Sequence, residues 1–283
     1  MAKISFRGAV DCHAHVCGPQ SRYPYAAERL YTPHDASPED FRAMLDRLGV
    51  ERGVLVQPSI YATDNRALLD SLALDRERLR GVAVVPYDIS PQEIEKLHEA
   101  GIRGVRQNIV DLKDGKGLLP LGELRKLAEK IAPLGWHVEF LMHVDEFPDL
   151  ERQLADFPVD VVFGHLGYVS TKKTTREAGF LGLLNLMKQG KAWVKMTAPY
   201  RLTLSEMPYP DTEKFAKALV AAAPERLIWG TDWPHVFIKT ALPNDEDLLA
   251  LFERWVPDEG MRRRILVDNP GQLYNFPAIQ SAM

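Results

Sequence analysis

Histidine and aspartate side chains recur in this sequence at spacings that suit hydrolytic or metal-assisted chemistry. His13 and His15 are separated by one residue, so on a strand both imidazoles point to one face and can reach one ion or one oxyanion. His143, His165 and Asp232 each follow a later apolar run. Imidazole and carboxylate groups move protons, polarise carbonyls and bind divalent ions. We therefore predict one shared site, provided that the fold brings these five side chains together.

The residue types leave two uses of this set open. His13, His15, His143 and Asp232 form a nitrogen and oxygen ligand set suited to Zn²⁺ or Mn²⁺, which leaves His165 as a free acid, base or carbonyl polariser. Each side chain could instead cap a strand or turn. Three further histidines lie in a Pro-rich loop, on a helix and at the start of a strand, and we predict structural roles for them: His34, His98 and His137.

The elements that must position these residues alternate between short apolar runs and amphipathic helices. Continuous apolar runs are typical of parallel strands that are covered on both faces. Ser37-Pro38 and Ser90-Pro91 are helix-start signals, and the segments 122–134 and 211–223 carry helical periodicity. The pattern predicts a single (β/α)8 TIM barrel over residues 1–283, with the site at the carboxyl ends of the strands. The eight runs lie at residues 8–10, 54–56, 82–85, 102–105, 138–141, 159–163, 193–196 and 227–229.

Composition excludes several other classes of protein. The net charge is −4 and no long basic run occurs, so we expect no binding to nucleic acid. No uncharged stretch approaches the roughly 18 residues of a membrane helix, and the first residues lack the apolar segment of a signal peptide, so we expect neither. The two cysteines, Cys12 and Cys17, cannot form a disulfide scaffold, so a cytoplasmic location is expected. Oligomeric state is left open.

Three motifs resemble the amidohydrolase superfamily. They are Asp-x-His-x-His at residues 11–15, His-x-Gly at 165–167 and Trp-Gly-Thr-Asp-Trp-Pro-His at 229–235. More narrowly, the chain resembles the TIM-barrel lactonases of this superfamily that act on 2-pyrone-4,6-dicarboxylate, and the likeness runs from about residue 8 to residue 274. The third motif is the most specific of them, because His-x-His alone is shared across the superfamily.

The resemblance implies a role for individual residues. Asp232 would be the general base for the hydrolytic water, and His13, His15 and His165 would surround the scissile carbonyl. Tyr31, Arg106 and Arg201 would hold substrate carboxylates, which suits the forked geometry of a guanidinium. Ser59, and less so Gln57, are further candidates for hydrogen bonds to the ring.

Two departures from the lactonase pattern bear on substrate and cofactor. The family has a second arginine where this chain has Leu112, followed by Lys113, so the identity of the dicarboxylate is open. His143 stands where the metal-free lactonases lack a histidine, and it either completes a four-ligand set or lines the wall of the site. We predict no obligatory cofactor, with one Zn²⁺ or Mn²⁺ ion as the alternative.

These observations predict a hydrolase that opens a small carboxylated lactone in the degradation of aromatic compounds. Three alternatives remain. The first is a metal-dependent amidohydrolase or decarboxylase of a related acid, and the second is a sugar-acid lactonase or isomerase. The third is a barrel that only binds a ligand, although polar side chains gathered at one face are costly to fold unless they are used.

Overall fold

The predicted apolar runs form the strands of one parallel sheet. A computed structural model describes residues 3–110, 119–238 and 241–279. Each strand pairs with the next one along the chain, in the order β1 to β8. The strands are β1 Val10–Ala14, β2 Arg52–Val56, β3 Leu79–Ala83, β4 Ile102–Asn108, β5 His137–Leu141, β6 Val161–Phe163, β7 Ala192–Met196 and β8 Leu227–Trp229.

The first and last strands come together and nearly close the sheet into a barrel. Ala14, the last residue of β1, and Trp233, four residues beyond β8, form a parallel bridge. The His15 amide donates to the Trp233 carbonyl at 2.8 Å, and the Asp232 amide donates to the His13 carbonyl at 2.8 Å. The predicted (β/α)8 barrel is confirmed, and its closing seam carries three of the candidate site residues.

Helices connect the strands and cover the outside of the barrel. Ser37 and Ser90 each cap a helix through a reciprocal capping box, as the sequence signals predict. The α-helices are α1 Pro38–Leu48, α2 Arg66–Leu74, α3 Pro91–Glu99, α4 Leu121–Ile131, α5 Leu150–Leu154, α6 Ala178–Lys188, α7 Glu213–Ala222, α8 Asp245–Trp255, α9 Glu259–Arg263 and α10 Asn269–Leu273.

Several predicted boundaries differ from the structure, and two of the differences have a simple physical reason. The third strand begins at Leu79, three residues earlier than its apolar run, because residues 79–82 pair in register with β2. The predicted helix 122–134 is α-helical only to Ile131 and ends in a 3-10 turn over Ala132–Leu134. Pro133 explains this end, because proline has no amide hydrogen to continue the helix.

The apolar core has an outer and an inner part. The outer part packs the buried helix faces against the sheet, and the inner part fills the barrel with side chains such as Val54, Val82, Val162 and Ile228. In the described part of the chain, no helix is long and apolar enough to cross a membrane. Leu112 and Lys113, where the sequence departs from the lactonase pattern, lie outside the described residues.

Candidate active site

A cleft at the carboxyl ends of the strands gathers most of the predicted site residues. His15, His165 and Asp232 line it, and they follow or end β1, β6 and β8. Carboxyl ends of parallel barrel strands meet at one face, so these residues converge although they are far apart in sequence. All four predicted substrate residues line the same cleft: Tyr31, Ser59, Arg106 and Arg201.

His13 lies beneath this cleft rather than in its lining. The ladder between β1 and β2 shifts register between Asp11 and Ala14, and this irregularity aims His13 and His15 toward the same carboxylate. The His13 ring packs edge-on against the rings of His15 and His165, with centroids 4.9 and 5.1 Å away. The predicted imidazole cluster therefore exists as two levels, with His13 as the deeper one.

His165 lies in a stretch of unusual backbone conformation. His165, Leu166, Gly167 and Tyr168 all have positive φ angles, directly after β6. Left-handed conformations of non-glycine residues are costly and concentrate at functional sites. The imidazole Nδ1 is held 2.8 Å from the Thr197 hydroxyl oxygen, which also accepts from the His165 amide at 3.3 Å. The turn and the threonine together fix the ring.

Asp232 is the centre of the site. Its Oδ2 accepts from the Tyr200 hydroxyl at 2.6 Å and from Arg201 Nε at 2.8 Å. Its Oδ1 lies 3.4 Å from His13 Nε2 and 3.7 Å from His15 Nε2. Asp232 is fully buried. One carboxylate oxygen is hydrogen-bonded to Tyr200 and Arg201, and the other faces the imidazoles.

The electrostatics of the site favour an ionised aspartate among neutral histidines. Burial alone would raise the pKa of Asp232, but the Arg201 guanidinium and the His165 and His13 imidazoles hold it below its usual value. Burial lowers the pKa of His13, His15 and His165. At neutral pH the site therefore contains a carboxylate base and uncharged rings, each with one nitrogen that donates a hydrogen bond and one that accepts.

A chain of four side chains behind Asp232 was not predicted. The Tyr200 hydroxyl lies 3.0 Å from His235 Nδ1, and His235 Nε2 lies 3.0 Å from Asp245 Oδ1 on α8. Asp245 in turn pairs with Arg47 at 3.1 Å. His235 ends the most specific motif of the sequence, and this was the available signal for the chain of contacts.

A buried ion pair below His13 was also missed. Lys195 Nζ lies 2.7 Å from Glu139 Oε2 and 3.1 Å from His13 Nδ1. Burial alone would raise the pKa of Glu139, but Lys195 and His13 hold it well below its usual value. The signal in the sequence was a charged residue in the middle of an apolar run, once in β5 and once in β7.

The seam between β1 and β8 explains the first residues of the Trp-Gly-Thr-Asp motif. Asp11 accepts hydrogen bonds from the Thr231 amide and hydroxyl at 3.1 and 2.6 Å and from the His13 amide at 3.0 Å. A Cβ at Gly230 would lie 2.6 Å from the His13 nitrogen, so only glycine permits this approach. The motif thus holds β8 against β1 directly before Asp232.

The predicted substrate residues differ in how firmly other groups hold them. Arg106 is buried, its Nη1 donates to the Gln57 carbonyl at 3.0 Å, and its Nε has no hydrogen-bond partner among the described residues. Arg201 is paired with Asp232 and donates to the Val236 carbonyl. Burial raises the pKa of Tyr31 to about 12. Gln57 donates to the Asp64 carbonyl at 2.8 Å, which matches a capping role.

The donor set could hold a divalent ion through three residues. One ligand atom each of His13, His15 and Asp232 lies within 4.8 Å of the others. His13 Nε2 and Asp232 Oδ1 are buried without a hydrogen-bond partner among the described residues, as expected of groups that bind an ion or a water molecule. His15 Nδ1 donates to the Val56 carbonyl at 2.7 Å, which leaves the lone pair on its Nε2, as in many metal-bound histidines.

The predicted fourth ligand, His143, is not brought into this group. Its Nδ1 lies 2.7 Å from the Tyr168 carbonyl, and its ring stacks on the Tyr168 ring with centroids 4.4 Å apart. The structure therefore gives His143 a place beside the turn after β6, outside the cluster of candidate ligand atoms.

Comparison with known proteins agrees with this architecture. The amidohydrolase family model Amidohydro_2 matches residues 10–276. The chain is 38% identical to a 2-pyrone-4,6-dicarboxylate hydrolase of Comamonas testosteroni over 94% of this chain and 90% of the relative. It is 36% identical to a 4-sulfomuconolactone hydrolase of Rhizobium radiobacter, over 96% of this chain and 93% of that relative.

A solved structure shows the same fold. The crystal structure of a probable 2-pyrone-4,6-dicarboxylic acid hydrolase from Acinetobacter baumannii, with citric acid bound, superposes with a TM-score of 0.84 at 30% identity. The match covers 95% of this chain and all of that one. The predictions of family and of an enzyme are confirmed, and the chain belongs to the amidohydrolase family.

Proposed function

We propose that this enzyme hydrolyses the ring ester of a small lactone that carries carboxylate groups, of the 2-pyrone-4,6-dicarboxylate type. The observation that carries the proposal is one cleft in which an ionised Asp232, neutral imidazoles and two arginines converge. Relatives named for the hydrolysis of 2-pyrone-4,6-dicarboxylate and of 4-sulfomuconolactone support it, because both substrates are anionic lactones. A binding protein without catalysis would not need a base beside the bound ring.

In the proposed reaction, the hydrolytic water lies between Asp232 and His15. Asp232 Oδ1 is the free oxygen of the carboxylate, and His15 Nε2, 3.7 Å away, carries a lone pair because Nδ1 donates to the Val56 carbonyl. Both atoms accept hydrogen bonds, so they orient the two hydrogens of one water and leave an oxygen lone pair for attack. As the carbon–oxygen bond forms, Asp232 Oδ1 takes a water proton.

The attacked carbonyl becomes an oxyanion that needs a donor. Thr197 holds His165 by its Nδ1, so the opposite edge of the ring is free to donate from Nε2 toward the carbonyl oxygen. Collapse of the intermediate breaks the ring ester, and the proton held by Asp232 passes to the leaving oxygen. Arg106 supplies an Nε without a partner among the described residues for one substrate carboxylate. Arg201 lines the cleft and can exchange its ion pair with Asp232 for one with a second substrate carboxylate.

A divalent ion is compatible with part of this donor set. His13, His15 and Asp232 would hold it if the Nε2 atoms of both imidazoles carried a lone pair, and when bound it would polarise the carbonyl and lower the pKa of a water. The proposed reaction assigns the proton transfer to Asp232 and does not require the ion.

The test is hydrolysis of 2-pyrone-4,6-dicarboxylate by the purified protein, followed by loss of the pyrone absorbance, with and without a chelator and with the bound metal measured. We expect turnover that survives chelation, and no comparable turnover of neutral aldonolactones, because these offer no carboxylate to Arg106. Preference for a neutral sugar lactone would contradict the proposed substrate class. Activity that is abolished by chelator and restored by Zn²⁺ or Mn²⁺ would assign the chemistry to a metal.

A further inference from the structure

We propose that the buried pair of Lys195 and Glu139 is a positioning device that keeps the hydrogen of His13 on Nε2. In that tautomer His13 faces Asp232 as a hydrogen-bond donor and has no lone pair there for a metal ion. The proposal rests on the site described above and on the proposed role of Asp232, but its main test does not depend on catalysis.

The location of the pair argues against a role in stability. Glu139 on β5 is in register with Val162, and Lys195 on β7 is in register with Ile228. Both side chains lie inside the barrel. Their side chains are 2% and 0% exposed. Removing two charges from water costs several kcal/mol each, and a buried pair often stabilises a protein no better than apolar side chains of the same size. Both members of the pair contact His13 Nδ1, so a function of the pair can act through that ring.

The hydrogen bonds decide the tautomer. Lys195 Nζ lies 3.1 Å from His13 Nδ1, and an ammonium can only donate. With Lys195 as the donor, His13 Nδ1 accepts, and a neutral imidazole then carries its hydrogen on Nε2. The other tautomer would place an N–H against the ammonium. Glu139 Oε1, which could accept from such an N–H, lies farther from Nδ1 at 3.3 Å, and its Oε2 pairs with Lys195.

The neighbouring histidine has the opposite arrangement. His15 Nδ1 donates to the Val56 carbonyl, so its Nε2 carries a lone pair. The two residues of the His-x-His motif thus present one donor and one acceptor within 3.4 and 3.7 Å of Asp232 Oδ1. This mixed pair suits a hydrogen-bonded water and a fixed carboxylate. A metal ion would need lone pairs from both rings.

The direct test is the tautomer of His13 in the metal-free wild-type protein. Long-range proton–nitrogen NMR spectra of protein labelled with ¹⁵N-histidine distinguish an Nε2–H ring from an Nδ1–H ring. The His13 signals are assigned by their absence from His13→Gln. We expect Nε2–H for His13 and Nδ1–H for His15. An Nδ1–H or doubly protonated His13 would overturn the proposal, whatever the protein does to a lactone.

A paired variant tests the cause. Glu139→Leu with Lys195→Met removes both charges at once and leaves no unpaired buried charge. Without the ammonium, we expect the Nδ1–H tautomer of His13 to become populated and calorimetric Zn²⁺ affinity to rise at least tenfold. We also expect kcat to fall with KM changed less than threefold, because His13 does not line the cleft.

The matched control is Lys214→Met, which removes an exposed lysine that donates to two carbonyls away from the site. We expect it to leave the tautomer and the Zn²⁺ affinity at wild-type values. An unchanged tautomer together with unchanged Zn²⁺ affinity in the folded paired variant would overturn the proposal. If the paired variant does not fold, the wild-type spectrum still decides.

Discussion

Two buried aspartates beside the seam between β1 and β8 have opposite acid–base behaviour. Asp11 lies in the seam between β1 and β8, and burial raises its pKa to about 7. Asp232, a few residues beyond β8, is equally buried, yet its pKa is held below the usual value. Asp11 receives three hydrogen bonds from neutral donors, whereas Asp232 receives a guanidinium and lies among imidazoles.

The difference shows that burial does not decide whether a carboxyl is ionised. Neutral amide and hydroxyl donors offset only part of the cost of burying a negative charge, while the positive charge of Arg201, together with the surrounding imidazoles, offsets more than all of it. Both aspartates contribute to the same end of the barrel. Asp11 closes the seam that sets the position of Asp232, and Asp232 remains a carboxylate that can accept a proton.

The largest effect is expected from Asp232→Asn. An amide of nearly the same shape cannot take the water proton, so we expect kcat on the lactone substrate to fall at least ~10³-fold, about 4 kcal/mol in the barrier. The measurement is initial-rate kinetics beside a circular dichroism spectrum, which should remain native. Near wild-type turnover by the folded variant would remove Asp232 from the mechanism.

Arg201→Gln tests whether the Arg201 cation is the reason that Asp232 is ionised while Asp11 holds its proton. Without the guanidinium the pKa of Asp232 should rise, because burial is then less well opposed. The base is active only above its pKa, so the acid limb of the kcat/KM profile should move to higher pH, and the rate at pH 7 should fall about 10²-fold. Arg201→Lys keeps the charge without the fork and should restore part of the rate. A raised KM with an unmoved acid limb would instead assign Arg201 to the substrate alone.

Asp11→Asn tests the other side of the comparison through stability. Because the folded protein holds the Asp11 proton more tightly than the unfolded chain does, the contribution of Asp11 is fully present below about pH 4 and is lost as pH rises toward 7. In urea titrations we expect the variant to lack this decline, on the order of 3 kcal/mol between pH 4 and 7. Asp88→Asn, at an exposed position, should keep it. Equal pH slopes in wild type and Asp11→Asn would contradict the assignment.

Thr231→Val should have the smallest effect. It removes the hydroxyl that donates to Asp11 at 2.6 Å but keeps the shape of the side chain and the backbone donor. We expect about 1–2 kcal/mol of lost stability, measured by urea unfolding at pH 7, because one buried acceptor loses a partner. Lactone hydrolysis should change less than Asp232→Asn changes it. A variant as stable as the wild type would show that the backbone bonds alone hold the seam.

The sequence predicted the barrel and most of the cleft for identifiable reasons. Apolar runs mark parallel strands, and side chains at their carboxyl ends meet at one face, so His15, His165 and Asp232 could be assigned to one site in advance. The places of His143 and Glu139 could not be predicted in the same way. His143 turns to the Tyr168 carbonyl, and Glu139 finds its lysine in a strand more than fifty residues later. Such partners depend on distances across the barrel, which a linear pattern does not contain.

The amino-acid sequence by itself determined the alternation of strands and helices, the end of the barrel at which chemistry occurs, and the residue types available there. These follow from local periodicity and from the fixed geometry of parallel strands. Only the tertiary structure decided which oxygen of Asp232 is free, which edge of each imidazole faces it, and which of two buried aspartates is ionised. Those properties depend on the donors, acceptors and charges that long-range packing places within a few ångströms of each group.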